Sequence, residues 1–229
     1  MRLPRFFIIV AAAIVGWVFA GCASAPPNSL ATHDASKWRN EIAAYTEADA
    51  AHPPPRGCVV FAGSSYIRKW TTLATDFPGM QAVNRGFGGC ELADVYAYAD
   101  RIIIPYAPRE VVLYAGGNDI DAGMAPEVVF GDFVALMNKL RQALPQAKLV
   151  FISCPPSPKR WAETAKIKAV NTLIAKYCQA HGLTFVDAFS RMLGADGLPR
   201  LEIYDADHLH MNSQGYALWR EAVAPALIP

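Results

Sequence analysis

Apolar residues along this chain fall into short, dense runs separated by longer, broken ones. The dense runs are Cys58–Ala62, Gln81–Asn84, Glu110–Ala115, Lys148–Ser153 and Leu183–Asp187. Runs of this length with little polar alternation predict strands buried on both faces. The broken runs predict helices over Asp34–Ala51, from Tyr66, Leu92–Ile104, Pro126–Leu144, Trp161–His181 and Ser213–Ala226. Trp38, Ile42, Ala43 and Tyr45 give the first of these its apolar face, and Pro53–Pro55 forbids its continuation. Pro126 suits a first helical turn, Gly182 a helix stop, and Ser213 an N-cap. Strands alternating with helices predict an α/β fold with a parallel sheet of about five strands covered on both faces, a three-layer α/β/α sandwich. In such folds functional groups gather beyond the carboxyl ends of the strands.

The N-terminus breaks this pattern. Arg2 and Arg5 precede an apolar stretch from Phe6 to Ala20, and small residues follow at Gly21–Ala25. That is the layout of a secretory signal peptide over 1–21, and the stretch is short for a span of ~20 residues. Phe19-Ala20-Gly21-Cys22 resembles a bacterial lipobox, which would make Cys22 a lipidated mature N-terminus. The competing site lies after Ala25, following Ala23-Ser24. Residues 22–33 are small and polar and read as a tether, leaving 34–229 as one domain. The protein is expected to be exported to the cell envelope, touching membrane only through an anchor at Cys22.

Composition narrows the function. With 53% hydrophobic residues, global disorder is excluded. Net charge is +1, and −1 without residues 1–21, so there is no basic footprint for nucleic acid. Cys58, Cys90, Cys154 and Cys178 fit no zinc spacing, and no metal is expected. An exported protein can pair its cysteines, but these read better as small buried hydrophobes.

Four clusters carry candidate chemistry. Gly63-Ser64-Ser65 follows the first strand, Asn84-Arg85-Gly86-Phe87-Gly88-Gly89 the second, and Gly116-Gly117-Asn118-Asp119 the third. Asp207-His208-Leu209-His210 precedes the last helix. Each alone is ordinary turn or cap chemistry. The glycine-rich stretch lacks the spacing of a dinucleotide or nucleotide phosphate loop. Their weight comes from order and place: three fall at the carboxyl ends of successive strands, and the fourth reaches that rim if the last helix packs back.

Together they resemble the four blocks of the SGNH (GDSL-type) hydrolase family, from about Val59 to Trp219. The resemblance implies a flavodoxin-like sheet and a serine esterase needing no cofactor. It assigns the nucleophile to Ser65, an oxyanion hole to the N–H groups of Ser65 and Gly89 and the Asn118 amide, and base and carboxylate to the last block. The first block usually reads Gly-Asp-Ser; here Ser64 stands in place of the Asp. Two Asp-x-x-His frames overlap, Asp205/His208 and Asp207/His210. In the family an apolar residue, Asn and then Gly-Tyr follow the His, as Met211-Asn212 and Gly215-Tyr216 follow His210. The triad is therefore Ser65, His210 and Asp207, with His208 at the pocket rim or on the surface. Asp119 reads as a brace for Asn118. Arg68 and Trp70 either face substrate or brace the first helix, and Trp161 on the proline-rich 154–161 loop either walls the acyl pocket or stiffens the loop. His33, His52 and His181 attract no role. The expected substrate is a small ester or acylated glycan or lipid, with an acetylated carbohydrate first. The alternatives are a lysophospholipase or thioesterase, and a non-catalytic glycan-binding envelope lipoprotein.

Overall fold

The computed structural model describes residues 25–228. The signal peptide and Cys22 lie outside the described residues. Five strands, β1 (Val59–Gly63), β2 (Ala82–Gly86), β3 (Glu110–Tyr114), β4 (Lys148–Ile152) and β5 (Thr184–Val186), form one parallel sheet in the order β2-β1-β3-β4-β5. Strands β1 and β3 are buried along their whole length, as their apolar residues require; Glu110 at the start of β3 is buried too, accepting from Ile228 N–H at 3.1 Å. The helices are α1 (Arg39–Ala51), α2 (Ser65–Arg68), α3 (Leu73–Asp76), α4 (Leu92–Ile102), α5 (Gly117–Asp121), α6 (Pro126–Ala143), α7 (Thr164–His181) and α8 (Ser213–Val223).

The chain leaves β1 for β2 on one side and β3 for β4 on the other, so the order reverses between β1 and β3. That reversal opens a crevice at their carboxyl ends, where α/β sheets place their ligands. One face of the sheet carries α4, α6 and α7, with α1 outside α4; there Phe151 of β4 meets Phe133 of α6 edge-on. On the other face Trp70, Phe77 and Trp219 close over Phe61 and Tyr114.

Several boundaries shift for local reasons. The first predicted helix divides at Trp38: Asp34 caps a 3-10 turn over Ala35–Trp38, and α1 follows. The helix predicted from Trp161 opens as a 3-10 turn over Pro158–Glu163 before α7. Asn212 rather than Ser213 caps α8, because its side-chain oxygen reaches the N–H groups of Gln214 and Gly215. Pro126 and Gly182 sit where the sequence puts them, Gly182 at φ +65°. All four cysteines of the domain are buried and unpaired.

The expected tether is not free from residue 25 on. Ser29 donates through both its N–H and its hydroxyl to Asp132, at 2.8 and 2.7 Å. His33 Nε2 lies 2.6 Å from Asp94 Oδ1. A Cβ on Gly131 would lie 1.8 Å from Pro27 O, so α6 can receive this strap only with glycine there. Polar composition suggested solvation, but long-range partners for Ser29 and His33 hold the segment down.

Candidate active site

Gly63 ends β1 at φ +130°, where a Cβ would meet Tyr114 O at 1.8 Å. Only glycine lets the chain turn here against β3. Ser64 N–H then donates to Tyr114 O at 2.9 Å, and Ser65 opens α2 at the mouth of the crevice. Ser65 Oγ lies 3.1 Å from His210 Nε2.

The loop carrying His210 is pinned from several sides. Tyr66 donates to Leu209 O, and Tyr204 to Pro156 O. Asn212 donates to Glu202 O and Tyr204 O at 2.8 and 3.0 Å. Within it, Asp207 Oδ2 lies 2.6 Å from His210 Nδ1, while Oδ1 accepts the N–H groups of Leu209 and His210 at 2.9 and 2.8 Å. A carboxylate only accepts, so the ring proton sits on Nδ1 and Nε2 offers its lone pair to Ser65. Desolvation pushes the Asp207 carboxyl up, but the His210 side-chain bond, the two N–H donors and the His210 charge outweigh it and hold the carboxyl well below its usual range. Such a chain lets an imidazole take a hydroxyl proton while a carboxylate stabilises the resulting cation.

On the far side of the crevice, Gly89 sits in an exposed turn and Asn118 in α5. The N–H groups of Ser65 and Gly89 donate to no protein group among the described residues. Asn118 differs from the free donor expected. Its Nδ2 already serves two acceptors, Ser64 Oγ at 2.6 Å and Cys90 O at 2.8 Å. An oxyanion must take one of these hydrogens, and as an ionised acceptor it is the stronger partner. Asp119 is buried behind it and accepts from Leu92 N–H at 3.0 Å, tying the third block to the start of α4. Burial pushes its carboxyl up to about 7 against that hydrogen bond.

The residues expected around substrate scatter. Trp70 is 1% exposed, donates to Asp76 at 2.6 Å and packs on Phe61, Phe77 and Trp219. It is a core residue whose truncation would cost about 3–5 kcal/mol. Arg68 is exposed and pairs with Glu41 at 3.4 Å, bracing α2 against α1. Trp161 is half-buried on the 3-10 turn, and its carbonyl accepts from Thr164 at 2.6 Å. His208 is exposed at φ +54°, its carbonyl accepting from Lys159 N–H at 3.0 Å; no side-chain bond joins it to Asp205 among the described residues. Three residues the sequence reading passed over stand at the site. Trp38 brings its ring to 3.5 Å from where a Cβ on Gly89 would lie. Ser64, noted only as a substitution, holds Asn118. Arg160, next to Trp161, reaches the Asn118 amide oxygen at 3.1 Å. Nothing local marked Trp38 or Ser64, but Arg160 was visible as a cation on the rim loop after the fourth strand.

A family model for GDSL-like lipases and acylhydrolases matches residues 57–218, well over half of the sequence. The chain belongs to this GDSL-like lipase/acylhydrolase family. Its fold is shared with solved members. A Bacteroides fragilis protein described as an acylhydrolase is 24% identical with a TM-score of 0.70, covering 80% of this chain and 93% of its own. A GDSL-like lipase from Bacteroides thetaiotaomicron is 22% identical with a TM-score of 0.68, covering 84% and 96%. An acetyl-xylooligosaccharide esterase from Geobacillus is 11% identical with a TM-score of 0.60, covering 75% and 94%. No curated protein matches the sequence.

Proposed function

We propose that this GDSL-family acylhydrolase is a serine esterase acting on short acyl esters through an acyl-serine intermediate. One observation carries the reading: the continuous bond chain from Ser65 Oγ through His210 to Asp207, at 3.1 and 2.6 Å. Ser65 Oγ attacks the ester carbonyl carbon as its proton passes to His210 Nε2, and Asp207 stabilises the imidazolium. The tetrahedral oxyanion lies toward the Ser65 and Gly89 N–H groups and the Asn118 amide. Collapse expels the alcohol, which takes the proton from His210. Water, deprotonated by the same imidazole, then attacks the acyl-serine; the acyl–Oγ bond breaks, Ser65 Oγ takes the proton back from His210 Nε2, and the acid is released. Each oxyanion donor contributes about 3–4 kcal/mol to such a transition state.

The space beside the reacting groups is small. A partly open pocket bounded by Tyr66, Gly117, Arg160 and Leu209, each next in sequence or bonded to a reacting group though Ser65, Asn118 and His210 do not line it, measures about 20 Å³. That admits a group of about water or methyl size. An O-acetyl ester, on a carbohydrate or another alcohol, fits these dimensions. Export, with Cys22 as the anchored residue, completes the proposal; it rests on the signal-like and lipobox-like sequence of residues 1–25. The test is kcat/KM for p-nitrophenyl acetate, butyrate and octanoate. A maximum at acetate is expected. A maximum at octanoate would contradict the short-acyl reading, and no turnover of any ester would favour a glycan-binding protein instead.

A further inference from the structure

The side-chain amide of Asn118 has two ends of nearly equal shape and opposite chemistry. An oxyanion is stabilised only if the nitrogen end faces the crevice; an amide turned over presents its oxygen and repels the developing charge. What decides the orientation is therefore part of the catalytic design, and one group that decides it lies outside the four sequence blocks.

We propose that Arg160 is the positioning residue that fixes the Asn118 carboxamide. Its Nη1 lies 3.1 Å from Asn118 Oδ1 and 3.4 Å from Gly117 O, while Nη2 pairs with Asp121 at 2.8 Å. A guanidinium carries donors and no acceptor, so it tolerates only the oxygen end of the amide. The nitrogen end donates to Cys90 O, which can only accept, and to Ser64 Oγ, which could serve either end. Turning the amide would set N–H against guanidinium N–H on one side and oxygen against the Cys90 carbonyl on the other. The clamp thus reads Arg160 to Oδ1 and Nδ2 to Ser64 and Cys90, with the nitrogen toward the loop that carries Gly89.

The rim delivers Arg160 to this place by its own bonds. Asn171 of α7 brackets Cys154, accepting from its N–H and donating to its carbonyl, both at 2.8 Å. Ser157 Oγ then accepts Arg160 N–H at 3.2 Å, capping the turn. Lys159 N–H reaches His208 O at 3.0 Å, joining this loop to the one that carries His210. The proline-rich segment after β4 is in this sense a bracket for the oxyanion hole as well as part of the wall of the small pocket beside it.

The inference rests on the esterase reading, so its test separates the two. Wild type, Arg160→Met, Asn118→Ala and the double variant are compared with p-nitrophenyl acetate, with circular dichroism and thermal melts to check folding. Arg160→Met is expected to lower kcat about 10- to 100-fold, part of the loss from removing an oxyanion donor, with KM changed less than about threefold. In the Asn118→Ala background the same substitution should change kcat less than about twofold, because the amide it orients is gone. Arg160→Lys, which keeps a donor and the charge beside Asp121, should recover part of the loss and serves if the Met variant unfolds. Equal losses in both backgrounds, or a loss confined to KM, would overturn the clamp and make Arg160 a structural or substrate-contacting residue. If wild type neither hydrolyses the ester nor reacts with a fluorophosphonate at Ser65, the esterase reading falls, and the clamp with it.

Discussion

Asp207→Asn tests how the carboxylate works, because the surrounding bonds dictate how the new amide must sit. Asp207 Oδ1 accepts two backbone N–H groups, from Leu209 at 2.9 Å and His210 at 2.8 Å. The Asn oxygen is needed there, since reversing the amide would point its NH2 at two N–H donors. Leaving a donor unsatisfied costs about 1–3 kcal/mol when buried; this side chain is 40% exposed, so about 2 kcal/mol for the pair is a fair discount. Asn Nδ2 then faces His210 Nδ1 in place of Oδ2, 2.6 Å away in the native protein. Imidazole must answer with a lone pair on Nδ1, which moves its proton to Nε2, the atom facing Ser65. At about 2 kcal/mol only a few per cent of the molecules keep the useful tautomer, a loss of about 30-fold. Loss of the negative charge beside the imidazolium adds to this, for a total of about 10³–10⁴ in kcat, or about 4–5.5 kcal/mol of barrier. The assay is steady-state turnover of p-nitrophenyl acetate, with unchanged melting to show that the loop survives. A loss under about tenfold would refute the tautomer argument.

His210→Ala should cost several orders of magnitude in kcat and His208→Ala much less, because His208 makes no side-chain hydrogen bond among the described residues; a dead His208→Ala beside an active His210→Ala would move the site to the other frame. Asp119 makes stability pH-dependent. Its folded pKa of about 7 stands above the unfolded 3.8, so the folded state holds the extra proton, and stability falls as pH rises between those values. Urea titrations at pH 5 and pH 8 should show that fall, on the order of a few kcal/mol at most, and Asp119→Asn should flatten it. An equal pH dependence in the variant would place the effect elsewhere. Gly131→Val should release the 25–33 strap, seen as faster amide exchange at Ser29 and His33; unchanged protection would mean the strap is held without the Pro27 approach.

The parallel sheet was legible because β1, β3 and β4 are written as apolar runs that only a doubly covered sheet can bury. The candidate site was legible for a different reason: strand ends place the blocks of Ser65, Gly89 and Asn118 on one rim, and the family resemblance picked out those residues and, through the residues after His210, its frame. What the sequence hid depends on distant partners. Small polar residues suggested a tether over 22–33, but its partners Asp132 and Asp94 lie 103 positions beyond Ser29 and 61 positions beyond His33. The sequence left Trp70 open between facing substrate and bracing the first helix; Asp76 six residues on satisfies its indole N–H and lets the ring go into the core. Arg160 was eclipsed by its neighbour Trp161, because only the folded rim shows which of the two side chains turns toward Asn118.

The nucleophile is the centre of the account, and covalent labelling reaches it most directly. Purified protein treated with a fluorophosphonate is digested and its adduct located by mass spectrometry, alongside turnover of p-nitrophenyl acetate. The account predicts one stoichiometric adduct, on Ser65, and neither labelling nor turnover in Ser65→Ala with the fold unchanged. An adduct on Ser64 or any other residue, or a Ser65→Ala protein that still hydrolyses the ester, would contradict it.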